Sequence, residues 1–202
     1  MKIVCIGRNY HEHIKELNND IPDKPLFFIK PDNALLNNKS ELYLPDFSSN
    51  IHYELEFVVK IHKVGKHIKA KFAKNYYSEI GLGLDLTARD LQAECKAKSW
   101  PWELAKGFDS SAPVGRFIPL NDLDINNLNF TLDKNGSRVQ TGNTKDMIHS
   151  VDQFIEYVTQ FITLKKGDLI FTGTPAGVGQ VSIGDEFLGC LEGEELMRLK
   201  VK

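Results

Sequence analysis

Glu54 and Glu56 stand two residues apart in Ile51-His52-Tyr53-Glu54-Leu55-Glu56-Phe57-Val58-Val59, a run whose β-branched and aromatic residues predict a strand. Side chains alternate along a strand, so His52, Glu54 and Glu56 are expected on one face and Tyr53, Leu55 and Phe57 on the other. The Cα atoms of the two glutamates would lie about 7 Å apart, close enough for both carboxylates to reach one cation, and without a cation the paired charges would repel. Oxygen-only ligands suit Mg²⁺, Mn²⁺ or Ca²⁺ rather than the softer ions that draw Cys and His. For a Glu-x-Glu taken alone, a solvated edge-strand face is the plainer reading. What turns it toward chemistry is Asp85, the one carboxylate in Ile80-Gly81-Leu82-Gly83-Leu84-Asp85-Leu86. An aspartate within an apolar run is costly to bury unless it is paired or holds a metal, which makes Asp85 a natural third ligand.

A second constellation lies near the start of the chain. His13 and Glu16 are three residues apart on a predicted short helix, Tyr10 to Leu17, and share a face. A carboxylate that holds an imidazole fixes its tautomer and raises its basicity, as a general base requires. A casual contact on an exposed polar helix is the alternative. Asn9 with Glu12 predicts a box-like start for this helix, and Asn18, Asn19 and Pro22 are expected to close it.

The elements that must position these groups follow from pattern. Lys2 to Ile6 reads as a buried strand ended by Gly7, and Phe27 to Ile29 as an apolar run with Lys30 its only charge, stopped by Pro31. Residues 32–50 read as a turn-rich loop. The lysines between His62 and Lys74 keep to no helical face and predict a solvated connection. Thr87 is expected to cap a helix carrying Arg89, Asp90 and Gln92, Asn135-Gly136 to turn a hairpin, and Ser150 with Gln153 to open an amphipathic helix through Val151, Phe154, Ile155, Val158 and Ile162. Thr172 to Gly179 is glycine-rich and can present N–H groups to an anion, yet lacks the Gly-Lys-Ser/Thr ending of a phosphate loop. The sum is an α+β chain, mainly β.

At 202 residues and 42% hydrophobic, the chain is expected to form one domain over residues 1–202 with a single sizeable core. A net charge of -2 offers no basic field for nucleic acid or an anionic membrane, so a small-molecule partner is expected. With no signal peptide and no apolar run long enough to span a bilayer, a cytoplasmic location follows as an expectation. Cys5, Cys95 and Cys190 are widely separated, without a C-x-x-C pair, and read as reduced, mostly buried thiols.

Gly7-Arg8-Asn9-Tyr10 with His13 and Glu16, Phe28-Ile29-Lys30-Pro31, His52-Tyr53-Glu54-Leu55-Glu56, Asp85-Leu86-Thr87-Ala88-Arg89-Asp90-Leu91-Gln92, Lys106-Gly107-Phe108-Asp109 and Thr172-Gly173-Thr174-Pro175, taken in order, resemble the fumarylacetoacetate hydrolase superfamily. The resemblance implies a mixed β-roll that forms a homodimer, with a divalent cation, Mg²⁺ or else Mn²⁺ or Ca²⁺, held by Glu54, Glu56 and Asp85. It puts the family's lysine on Lys106, its lid dyad on His13 and Glu16, and substrate contacts on Arg8, Gln92 and Thr174. Leu84 stands where an asparagine often precedes the aspartate, and a chain without the amino-terminal domain of larger members is expected. The implied activity is hydrolysis of a C–C bond in an acylpyruvate-like 2-oxo acid such as fumarylpyruvate. The same enolate chemistry would serve an oxaloacetate decarboxylase or tautomerase, or an isomerase of 2-hydroxyhepta-2,4-diene-1,7-dioate. A metal-stabilised binding module without turnover is the reading from another class, and the His13-Glu16 pair argues against it.

Overall fold

A computed structural model describes residues 1–18, 20–37 and 41–202. Asn19, expected at the end of the first helix, and positions 38–40 of the long loop lie outside the described residues.

The longest apolar strands pair into a six-stranded mixed sheet, in the order Ile118–Pro119, Tyr77–Leu84, Leu55–Ile61, Leu169–Phe171, Ile3–Gly7, Leu26–Lys30. Ile3–Gly7 runs parallel to Leu169–Phe171 and antiparallel to Leu26–Lys30. A five-stranded sheet follows the order Ser137–Asn143, Asn129–Lys134, Glu186–Leu191, Glu194–Val201, Glu41–Leu42. Leu55, Phe57 and Leu82 of the first sheet share the main core with Phe130, Leu132 and Phe187 of the second. The other face of the six-stranded sheet is covered too, with Cys5, Val58 and Phe171 packed on Ala34, Ala112 and Val114. Leu55–Ile61 is therefore buried on both faces, which explains a nearly continuous apolar run in place of alternation. The mainly β mixed architecture is the one the sequence predicts.

Local signals are realised where they are self-contained. Asn135 and Gly136 take φ of 52° and 79°, the doubly left-handed turn that two-residue hairpins favour. Ser150 and Gln153 form a reciprocal capping box on the helix Val151–Val158, whose Val151, Phe154, Ile155 and Val158 are buried. All three cysteines are free, with Cys5 and Cys95 buried. No helix among the described residues is long and apolar enough to cross a membrane.

Two predicted caps are corrected. The helix His11–Glu16 starts from Tyr10 with no side-chain cap. Asn9 instead turns inward, giving its amide to the Thr172 and His149 carbonyls (2.8 and 3.0 Å) and taking the His149 N–H (2.8 Å). Thr87 lies in the short strand Thr87–Ala88 and donates to the Asp85 carbonyl, and the helix Arg89–Lys98 begins from Ala88 without a side-chain cap. At Asn9 long-range partners outcompete the helix start, and at Thr87 the hydroxyl turns back to a carbonyl two residues earlier in the chain.

Candidate metal centre and active site

The two acidic segments form one antiparallel ribbon that changes sheet halfway along. Leu55–Ile61 pairs with Tyr77–Leu84 in the six-stranded sheet, whereas Ile51–Tyr53 pairs with Thr87–Ala88 in a small three-stranded one. Glu54 and Asp85 occupy the junction, joined by the Asp85 N–H donated to the Glu54 carbonyl (2.8 Å). The expected unbroken strand Ile51–Val59 is thus interrupted at Glu54. The pairing register is continuous through the junction, and His52 places its Nε2 2.9 Å from Asn50 Oδ1. Glu54, Glu56 and Asp85, all buried, come together so that one carboxylate oxygen of each lies within 4.8 Å of the others.

Three basic side chains meet these carboxylates. Lys106, 4% exposed and not the surface residue that a lone lysine usually is, donates to Glu54 Oε2 (2.9 Å) and Asp85 Oδ2 (2.7 Å). Arg89 Nη2 donates to Glu54 Oε1, and the Lys30 ammonium lies 2.8 Å from Asp85 Oδ1. Carboxylate repulsion is therefore relieved in part by Lys30, Arg89 and Lys106, and not by a metal alone as the sequence implied. Burial pushes the Glu54 carboxyl up, but Lys106 and Arg89 outweigh it and hold the group well below the usual carboxylate range. Glu56 moves the other way: burial, then Asp85 and Glu54, push its carboxyl well up, against one N–H from Gly173 (2.7 Å). Burial lowers the Lys106 ammonium, but Asp85 and Glu54 more than restore it, and the net direction is upward.

The residues present fit a hard divalent cation. The donors are all carboxylate oxygens, and Asp85 Oδ1 is buried without a directed hydrogen bond, because Lys30 directs its own to the Leu86 and Ser111 carbonyls (3.1 and 2.9 Å). Glu54, Glu56 and Asp85 are thus a group that could hold a divalent metal.

A single cavity is lined by Arg8, His13, Glu54, Glu56, Asp85, Gln92, Lys106 and Thr174, that is, by eight of the nine predicted site residues. The ninth, Glu16, reaches it through His13, whose Nδ1 lies 3.2 Å from Glu16 Oε2. Glu16 Oε1 also accepts the N–H of Gly177 (3.0 Å), so the helix is latched to the glycine-rich loop. Buried Tyr10 and Ile14 anchor the same helix, which has more core contact than its sequence suggests. The loop depends on glycine: Gly173 has φ of +91°, and a Cβ there would stand 2.7 Å from Asn9 Cβ. Arg8 holds φ of 57°, a left-handed conformation that non-glycine residues keep only where the surroundings enforce it.

Sequence reasoning assigned no site role to Lys30, Arg89 or Gln140. Lys30 carried a usable signal as the one charge in an apolar run, and Arg89 shares a helical face with Gln92, whose Oε1 it binds at 2.9 Å. Gln140 carried none, since its role exists only across the fold. Buried in the hairpin, it accepts the Leu55 N–H (2.8 Å) and donates to Thr174 Oγ1 and the Pro175 carbonyl (both 2.9 Å). It ties the acidic strand to the glycine-rich loop. Gln140→Leu is expected to lower unfolding free energy by about 1–3 kcal/mol, the cost of leaving buried polar groups unpaired. Urea unfolding measures this, and an unchanged midpoint would show that the bridge contributes nothing.

Residues 2–201 match the fumarylacetoacetate (FAA) hydrolase C-terminal family, and the chain belongs to it. It is 43% identical over 201 residues, 99% of this chain and 91% of the relative, to the mitochondrial oxaloacetate tautomerase of Mus musculus. To the mitochondrial oxaloacetate decarboxylase of Dictyostelium discoideum it is 45% identical over 185 residues, covering 91% and 85%. The crystal structure of fumarylpyruvate hydrolase from Pseudomonas aeruginosa in complex with Mn²⁺ and pyruvate matches with a TM-score of 0.92 at 36% identity, covering 100% of this chain and 89% of that one. The chain is an enzyme of this superfamily. Among the activities its sequence left open, the oxaloacetate alternative agrees better with these relatives than acylpyruvate hydrolysis does.

Proposed function

We propose that the chain is a divalent-metal-dependent enzyme of oxaloacetate that interconverts its enol and keto forms. The observation that carries this reading is the 43% identity, over nearly the whole of both chains, to a relative named for that activity. The site supports it with groups suited to enolate chemistry. A Mg²⁺ or Mn²⁺ held by Glu54, Glu56 and Asp85 would supply Lewis-acid stabilisation of the charge that develops on the C2 oxygen. Lys106, its charge secured by Asp85 and Glu54, adds a second positive group beside that oxygen. Arg89 fixes Gln92 by taking its Oε1, which leaves the Gln92 amide N–H groups to the substrate. Thr174 accepts from Gln140 and donates only a long bond to the Pro175 carbonyl (3.4 Å), so its hydroxyl proton can turn toward a substrate carboxylate. His13, oriented by Glu16, removes a proton from C3 of the keto acid and returns it in the reverse direction. The homodimer and the cytoplasmic location remain parts of this proposal that rest on the sequence.

The second reading, hydrolysis of an acylpyruvate, is favoured by the fumarylpyruvate hydrolase neighbour and by a His13 equally able to activate water. A panel of enol-oxaloacetate, keto-oxaloacetate, fumarylpyruvate and acylpyruvates with added Mg²⁺ separates the two. The expected result is metal-dependent decay of the enol absorbance, stopped by EDTA, with oxalate, a planar mimic of the enolate, inhibiting competitively only when metal is present. Acylpyruvate cleavage at an equal or higher kcat/KM would overturn the assignment, and inhibition by acetate equal to that by oxalate would count against any 2-oxo-acid site.

A further inference from the structure

The buried end of the pocket is close to charge balance, with Glu54, Glu56 and Asp85 facing Lys30, Arg89 and Lys106. Its outer end is not. Along the helix Arg89–Lys98, Arg89, Gln92 and Lys96 follow at spacings of three and four and so share one face, and all three line the cavity. Arg89 is committed to Glu54 and Gln92. Lys98, two residues on, is tied to Glu94 at 2.6 Å, whereas Lys96 has no ion pair among the described residues. Lys96 instead stands among cations. Partial desolvation pushes its ammonium below the usual lysine range, and Arg8, Arg89 and Lys106 push in the same direction and together outweigh the opposing charge of Glu54. A cation with like-charged neighbours, one helical turn (about 6 Å along the axis) outward from a substrate-facing glutamine, gains most from an anion delivered by a ligand.

We propose that Lys96 is the contact for the second carboxylate of the substrate, so that the pocket selects a four-carbon dicarboxylic 2-oxo acid over a monocarboxylic one. The first carboxylate and the keto oxygen go to the buried, metal-binding end, and the distal carboxylate lies against the Lys96 ammonium at the rim. A monocarboxylate such as pyruvate, or a two-carbon chelator such as oxalate, fills the buried end and leaves Lys96 without a partner. This rests on the oxaloacetate reading above, and the test distinguishes the failure of either.

Wild type, Lys96→Met and Lys96→Arg are compared with Mg²⁺ present, by KM and kcat for oxaloacetate and by the inhibition constant of oxalate. Loss of one charge-assisted hydrogen bond predicts a KM for Lys96→Met raised about tenfold or more, with kcat within a few-fold and the oxalate constant unchanged. Lys96→Arg should stay close to wild type, since the positive donor is retained. An unchanged KM in Lys96→Met, or an equal loss of oxalate binding, would overturn the proposal. If wild type does not turn over oxaloacetate, the functional reading falls. Ligand-induced Tm shifts then still decide the role of Lys96: a ratio of oxaloacetate to pyruvate affinity that falls in Lys96→Met supports it, and an unaltered ratio ends it.

Discussion

Asp85→Ala is expected to lose metal binding and turnover together and to destabilise the protein by about 3–5 kcal/mol, the usual cost of removing one partner from a buried ion pair. The size of the effect follows from its neighbours. Asp85 is the counter-ion of both Lys30 and Lys106, each buried, and no other carboxylate lies beside Lys30 in an ion pair among the described residues. Two ammonium groups would thus lose a partner through one substitution. Metal linkage supplies the independent readout: a cation present at 100 times its Kd stabilises the wild type by about 2.7 kcal/mol, and Asp85→Ala should gain nothing from the same addition. Glu54→Ala should behave alike, because it strands Arg89 and half of the contacts of Lys106. Isothermal titration with Mn²⁺ and thermal melts with and without metal measure both effects. Wild-type metal affinity in the two variants would show that the three carboxylates are not the ligand set.

The second large effect is expected at His13 and has the opposite signature. His13 touches none of the three carboxylates through a hydrogen bond among the described contacts, its partner being Glu16. His13→Ala should therefore leave metal and oxalate affinity close to wild type while kcat falls by about 10²-fold or more, the usual contribution of a positioned acid-base group. Glu16→Gln should lose less. Its amide oxygen can still accept the Gly177 N–H and keep the helix latched, and only the hold on the imidazole's orientation suffers. Steady-state kinetics with the responsive substrate and oxalate titrations on both variants check this pair. Unchanged kcat in His13→Ala would remove the dyad from the mechanism and leave the chemistry to the metal and Lys106.

What the sequence determined by itself is what short spacing can encode. Glu54 and Glu56 at i, i+2 and His13 and Glu16 at i, i+3 are brought together by the period of the element they sit on, and the Asn135-Gly136 turn and the Ser150-Gln153 box close within four residues. None of these needs a distant partner. The ordered motifs also marked Asp85, Lys106, Arg8, Gln92 and Thr174, which the fold gathers on one cavity. Tertiary structure alone decided how the charges are compensated. Whether Lys30 is solvated or buried against Asp85 depends on an edge strand meeting a ribbon 55 residues further along, and Gln140 reaches Leu55 from 85 residues away. It also decided which hydrogen bonds win: Asn9 has the chemistry of a helix cap but is drawn to Thr172 and His149, partners that come near only once the chain has folded, and Thr87 is held in a strand by its pairing with His52. The interruption at Glu54 belongs with these. A strand shows its apolar pattern locally, but the point at which it leaves one sheet for another is set by what pairs with it on either side, Leu84 before the junction and Ala88 beyond it.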